Sequence, residues 1–201
     1  MEDKLLENRQ LTDEELAVEA QAGSRRSFEE LVRRYSQRLF YFLRPKMLTH
    51  QDTEDIIQET FLKTYRNIRR FNFECKFSTW IYTTATRLVI SFYRKKRPNE
   101  STFVSIDTSP DPQEQMIKEE DAKNLWNIAQ ALRENQFQAL WLRYMEDLPL
   151  KEIAQVMKKT QIYVRVLLHR ARLNLMKQLN PSALPGKLEK AAPAETNLSL
   201  L

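Results

Sequence analysis

The sequence predicts an all-α fold, on three observations. There are only 2 glycines in 201 residues. Apolar residues recur at spacings of three and four through most of the chain, the period of a helix with one buried side. No run alternates apolar and polar residues between turn signals, as a half-buried strand would. The length suits two small helical domains joined by a flexible linker.

In order, residues 1–11 read as a frayed N-terminus. Thr12, with Glu15 three positions on, is a capping box that opens a short helix carrying Leu16 and Ala20. Gly23 closes it as a C′ residue. A longer helix follows with Phe28, Leu31, Val32, Tyr35, Leu39 and Phe42 on its core side, until Pro45 ends or kinks it. His50 and Gln51 read as a turn. Asp52 is then a candidate N-cap, with Glu54 and Asp55 in the first turn, where the helix dipole favours acids. Ile57, Phe61, Tyr65 and Ile68 form the expected buried stripe. Asp55, Glu59, Leu62 and Arg66 form a polar stripe with one exposed leucine.

The segment FNFECKFS, residues 71–78, holds three phenylalanines without a period. Phe71 and Phe77 are expected in the core, and Asn72, Phe73, Glu74 and Lys76 at the surface. The next helix opens at Ser78 and is stopped by Pro98. Ile81, Ala85, Leu88 and Phe92 are its expected core. Its expected exposed side carries Tyr82, Thr83, Thr86, Arg87, Tyr93, Arg94, Lys95, Lys96 and Arg97. An acidic helix face therefore precedes a helix with aromatics, hydroxyls and a basic end. That order suggests a protein contact beside a nucleic-acid contact.

Residues 98–120 contain Pro98, Pro110 and Pro112 among Ser, Thr and acids, and read as the linker. Within it, Phe103, Val104 and Ile106 make an apolar island. A second helical domain spans about 121–179. Its first helix carries Ala122, Leu125, Trp126, Ala129 and Leu132, and its second Phe137, Leu140, Trp141 and Tyr144. A third starts at Leu148-Pro149-Leu150 and buries Ile153, Ala154 and Met157. After a turn at Lys158, Lys159 and Thr160, a last helix runs from Gln161 to Leu179 on Val164, Leu168, Ala171 and Leu175. A short helix, a tight turn and a longer basic helix make a helix-turn-helix layout. Residues 180–201, rich in Pro, Ala and Ser, read as a disordered tail.

Charge is unevenly placed along the chain. The total is +5. Residues 28–97 hold 15 basic and 7 acidic residues, 98–120 hold 1 and 6, and 121–179 hold 10 and 5. Two basic blocks flanking an acidic connector point to nucleic acid. Cys75 is the only cysteine, so neither an internal disulfide nor a thiolate metal cluster is expected. His50 and His169 are isolated in sequence. No secretory signal and no membrane span are read, and a cytoplasmic protein is expected. No nucleophile–base pair or phosphate-cradling glycine loop is seen, so neither an enzyme nor a cofactor is expected.

Together these segments resemble a bacterial RNA polymerase sigma factor of the sigma-70 class. The two-domain length and short linker resemble the extracytoplasmic-function group. DTEDIIQETFLKTYRNIRRF resembles the segment that binds the polymerase core, which implies contacts through Asp52, Asp55, Ile56, Gln58, Glu59, Leu62 and Arg66. KFSTWIYTTATRLVISFYRKKR resembles the segment that melts and reads the −10 element. It implies DNA contacts at Asn72, Phe73, Lys76, Tyr82, Thr83, Thr86, Arg87, Arg94, Lys95, Lys96 and Arg97. LWLRYMEDLPLKEIAQVM with VRVLLHRARLNL resembles the module that reads the −35 element. It implies Lys158, Lys159, Thr160, Gln161, Ile162, Arg165, His169 and Arg170.

The implied partners are core RNA polymerase and promoter DNA, with an anti-sigma protein as the group's common inhibitor. Some positions depart from the family pattern. Arg87 and Ser91 stand where Asn and Asp are usual, and Lys158 and Lys159 where the turn usually has Gly and an apolar residue. Tyr163, Val166 and Leu167 stand where Thr, Ser and Arg are usual. Two other readings stay open. One is a helix-turn-helix regulator that never engages polymerase, which leaves the acidic helix without a role. The other is a sigma-like protein-interaction module with weakened promoter reading.

Overall fold

The computed structural model describes residues 11–96, 126, 129 and 131–179. Within them the chain forms seven α-helices and two 3₁₀ turns. The expected linker, both chain ends and most of the helix expected from residue 121 lie outside the described residues.

Helix α1 (Asp13–Gln21) opens with the expected capping box. The Thr12 N–H donates to Glu15 Oε2 at 2.8 Å, and the Glu15 N–H donates to Thr12 Oγ1 at 3.2 Å. Gly23, at φ +103°, takes the left-handed position after the helix. The next N–H, of Ser24, then reaches the Glu19 carbonyl at 2.9 Å, which closes a Schellman-type end. Ser24 in turn caps α2 (Arg25–Leu43), which buries Phe28, Leu31, Tyr35, Leu39 and Phe42. Pro45 lies in a 3₁₀ turn, Arg44–Lys46, that ends α2.

Helix α3 (His50–Asn67) starts two residues before the expected cap. Thr49 supplies that cap, its hydroxyl accepting from the Asp52 N–H at 3.0 Å. His50 and Gln51 are therefore helical, and Asp52 sits in the first turn. The buried side of α3 is Thr53, Ile56, Ile57, Thr60, Phe61 and Thr64. These residues fill two adjacent rows, so the stripe is centred between them and Tyr65 falls outside it. Tyr65 is exposed, although its ring still lies 4.8 Å from that of Phe28.

After the 3₁₀ turn Ile68–Arg70 and the loop 71–76, α4 runs Phe77–Lys96. Tyr35, Phe42, Phe71, Phe77 and Tyr82 form an aromatic centre with edge-on contacts of 4.7–6.4 Å, a favourable geometry for ring pairs.

The second group of helices is α5 (Glu134–Tyr144), α6 (Leu150–Met157) and α7 (Gln161–Leu179). Phe137, Leu140 and Trp141 are buried, but Tyr144 at the last turn of α5 is exposed. Trp126, one of the described residues of the preceding segment, packs edge-on against Phe137 and Trp141. Pro149 occupies the N-cap of α6, where no intrahelical N–H is needed. Lys158 ends α6 in the left-handed conformation, φ 52° and ψ 45°. There the Lys159 N–H closes on the Ala154 carbonyl at 3.0 Å. A non-glycine residue in that conformation costs about 1 kcal/mol relative to glycine.

The two groups share one continuous core, with α6 lying against α4. Sequence periodicity did not anticipate this packing.

Candidate polymerase and nucleic-acid interfaces

The outward side of α3 is open. Asp55, Gln58, Glu59 and Arg66 are exposed, and Leu62 keeps 50% of its surface in solvent. Asp52 is half-buried and meets Lys96 Nζ, at the end of α4, at 3.5 Å. Ile56 departs from the expectation. It belongs to the inner rows and is buried, because it stands three and four residues from Thr53 and Thr60 on the core side. It supports the face from beneath and does not contribute to its surface.

The loop between α3 and α4 is also open. Asn72, Phe73, Glu74 and Lys76 are exposed, while Phe71 and Phe77 are buried as expected. Phe73 has φ +62°, an uncommon conformation for a side chain of this size. Its ring lies 4.6 Å from that of Phe71, which holds it over the core. Lys76 turns toward the second group, with Nζ donating to the Asp147 carbonyl at 2.8 Å and lying 3.7 Å from its carboxylate.

Helix α4 separates into two parts. Arg87, Arg94, Lys95 and Lys96 are exposed, and Arg97 lies outside the described residues. Tyr82, Thr83 and Thr86 are buried, contrary to the expectation of an exposed face. The second helical group packs on this helix through α6. Thr79, on the same stripe, donates its hydroxyl to Glu152 of α6. The Tyr82 hydroxyl donates to Glu146 Oε1 at 2.6 Å and accepts from the Trp141 indole N–H at 3.1 Å. The Thr83 and Thr86 hydroxyls are buried without a hydrogen-bond partner among the described residues. Tyr93 also turns inward, its hydroxyl donating to the Lys46 carbonyl at 2.5 Å.

Glu146 is the centre of this junction. Its side chain has no solvent exposure, and Arg38 of α2 grips it through Nε at 3.0 Å and Nη2 at 2.5 Å. Burial pushes the Glu146 carboxyl above the usual carboxylate range, against the pull of Arg38 and Tyr82. Burial also raises the Tyr82 hydroxyl, with the Glu146 charge adding to the shift. At the other edge, Lys46 Nζ lies 3.7 Å from Glu134 of α5. Burial lowers Lys46 to about 8, with Glu134 opposing the shift. Nothing in the sequence marked Glu146, because its partner Arg38 is 108 residues away.

In the helix-turn-helix, Lys158, Lys159, Thr160, Gln161, Ile162, Arg165, His169 and Arg170 are all exposed. The structure thus leaves all of these candidates open to solvent. Thr160 has a structural role as well, its hydroxyl accepting from the Tyr163 N–H at 3.2 Å at the start of α7. Leu167 is buried, so of the three positions within α7 that depart from the family pattern only Tyr163 and Val166 face solvent. Among the described residues, no group of three or more His, Cys, Asp or Glu side chains could hold a metal ion. No described helix is long and apolar enough to cross a membrane.

An acidic, leucine-bearing helix next to an aromatic loop and a basic helix, followed by a helix-turn-helix, defines a transcription initiation factor of the sigma class. Comparison with known families agrees. Residues 31–98 match the model of sigma-70 region 2, and residues 122–175 match the model of sigma-70 region 4. The chain is 28% identical over 188 residues to the ECF RNA polymerase sigma-E factor of Haemophilus influenzae, covering 86% of this chain and 97% of that one. It is 29% identical over 182 residues to the RNA polymerase sigma-H factor of Pseudomonas aeruginosa, covering 84% and 94%. Its fold is similar to that of the sigma factor RpoE of Bartonella quintana, solved in complex with the anti-sigma factor NepR. That match has a TM-score of 0.56 at 19% identity and covers 77% of this chain and 98% of that one. The chain belongs to the sigma-70 family of RNA polymerase sigma factors, in its extracytoplasmic-function (ECF) group.

Proposed function

We propose that the chain binds core RNA polymerase through the outward side of α3, directs it to promoters and helps to open them. The open acidic stripe beside a basic helix end carries this reading. Asp52, Asp55, Gln58, Glu59, Leu62 and Arg66 offer a basic partner both charge and one apolar anchor. Phe73, Asn72 and the cations Arg87, Arg94, Lys95, Lys96 and Arg97 then face a melted strand. Base–aromatic stacking there contributes about 1–3 kcal/mol per base.

The chain acts in the cytoplasm and has no catalytic step of its own, since the polymerase carries out the chemistry. Residues 12–97 and 121–179 serve as the two modules, with 98–120 as the tether that sets their spacing on DNA. Lys158, Lys159, Arg165 and Arg170 hold phosphates, and Gln161 is the candidate for reading a base edge. An anti-sigma protein is the inhibitory partner, in line with the complex of the Bartonella relative.

In the packed arrangement Tyr82, Thr83 and Thr86 are buried, Tyr82 against Trp141 and Glu146. Their contact with DNA therefore follows separation of the two modules. Co-purification with core polymerase tests the reading. The wild-type chain is expected to be retained and to support run-off transcription. Asp55→Lys with Glu59→Lys is expected to lose both while the chain still folds. Retention unchanged by this double reversal rules out α3 as the polymerase contact.

A further inference from the structure

The loop 71–76 carries Asn72, Phe73 and Lys76, and both of its ends are tied to α1. At the entry, Gln21 Nε2 donates to the Ile68 carbonyl at 2.9 Å and to the Phe71 carbonyl at 2.5 Å. A carboxamide nitrogen has two donors, and both are used here. The Ile68 carbonyl also accepts from the Phe71 N–H at 3.0 Å, which closes the 3₁₀ turn leading into the loop. At the exit, Glu14 Oε1 accepts from the Phe77 N–H at 3.0 Å. Phe77 is the first residue of α4, where N–H groups lack a partner within the helix and the dipole favours an acid. Glu14 and Gln21 stand seven residues apart on α1, two turns of one helix, so they share a side at about 10.5 Å spacing.

The middle of the loop is tied differently. The Glu74 N–H reaches Asn72 Oδ1 at 3.4 Å. Lys76 leans on the second helical group, its N–H donating to Glu152 Oε2 at 3.3 Å and its Nζ to the Asp147 carbonyl. Those two contacts are lost when the modules part, whereas the α1 contacts lie within the first module. Helix α1 precedes the residues that match sigma-70 region 2, and none of its side chains belongs to the polymerase or DNA faces described above.

We infer that Glu14 and Gln21 are positioning residues for this loop, fixing its two ends so that Asn72 and Phe73 meet an unstacked base already in place. A loop ordered beforehand gives up less entropy on binding. The Phe73 ring, held 4.6 Å from that of Phe71 at a positive φ, depends most on this restraint. This rests on the proposed contact between the loop and melted DNA.

The test uses the full chain, alone and assembled with core polymerase on a promoter fragment whose start site has been mapped. Gln21→Met removes both donors at similar length and adds no charge. In the free chain it should speed hydrogen exchange of the Phe71 amide by about tenfold, and Glu14→Ala should do the same at Phe77, with the Val32 amide of α2 unchanged. In the holoenzyme each should slow promoter opening by about tenfold, followed by permanganate footprint against time, with initial promoter binding unchanged. A smaller folded fraction lowers the amplitude and leaves that rate constant alone. Charge acts the other way, since removing an acid near DNA would by itself favour opening. Glu14→Gln keeps the accepting oxygen and should restore the rate. In a Phe73→Ala background, slow already, Gln21→Met should add less than about twofold, because both act through one ring.

Unchanged exchange at Phe71 and Phe77 overturns the restraint and leaves the DNA reading intact. Faster exchange with unchanged opening, or a Phe73→Ala holoenzyme that opens at the wild-type rate, overturns the DNA role of the loop and the inference with it. Full additivity with Phe73→Ala refutes a route through that ring.

Discussion

Helices α4 and α7 were both expected to face DNA, and the structure treats them in opposite ways. Helix α4 hides hydroxyls: Tyr82, Thr83 and Thr86 are buried. Helix α7 displays hydrocarbon: Ile162, Val166, Leu173 and Met176 stand in water. Among these hydroxyls, that of Tyr82 is buried with a polar partner, Glu146. An apolar face stays open where the first module offers it nothing. The difference shows that surface chemistry on one helix does not reveal what covers it, because the cover is set by the neighbouring module.

The largest expected effect breaks the α4 side of this contrast. Arg38→Met leaves Glu146 buried without its cation and should destabilise the packed state by about 3 kcal/mol. Adding Glu146→Leu should restore much of the loss, since a buried pair replaced by hydrocarbon is often near neutral. Urea denaturation of the single and double variants measures both, and additive losses would show that the pair is not coupled.

Next is the pH dependence of the junction at Lys46. Its native value of about 8 lies below the ordinary 10.5, so the unfolded chain binds the proton more tightly. Packing should therefore gain stability as pH rises from about 8 to about 10.5, by up to about 3 kcal/mol. Below pH 8 that gain is absent. Lys46→Met should remove this slope, as read from melting temperatures against pH, relative to the wild type.

A smaller effect sharpens the same side. Thr83→Val and Thr86→Val replace buried hydroxyls that lack a hydrogen-bond partner among the described residues with methyl groups of the same shape. Each should stabilise the packed state by about 1 kcal/mol. If their destiny is DNA, promoter opening should fall at the same time in a permanganate footprint.

The smallest effect belongs to α7. Val166→Ser with Leu173→Ser touches only exposed side chains and should change the urea midpoint by less than about 0.5 kcal/mol equivalent. A larger loss would mean that the stripe is already covered within the chain.

Much of the fold was legible because its signals are local. Thr12 with Glu15, Gly23, and the Lys158–Thr160 turn each act within five residues, and the bounds of α1 and the start of α7 followed from them. The rest was not legible, for two physical reasons. A period of 3.6 locates a buried stripe only to within a row, which is how Ile56 and Tyr65 were exchanged between inside and outside. Glu146 sits in a turn, MEDLP, that reads like any solvated acid, and only the return of the chain past Arg38 and Tyr82 makes it internal. The exposure of Asp55, Glu59, Leu62 and Arg66 on α3 was legible, since a polar stripe beside an apolar one is a local signal.

The indole of Trp141 is one such returning group, sealed between Tyr82, Tyr41 and Trp126 and hydrogen-bonded to a hydroxyl of the other module. Parting the modules would wet that ring and move its emission toward the red. With Trp80 and Trp126 replaced by Phe, the remaining indole becomes an optical gauge of opening, readable in a cuvette without any label as DNA is added.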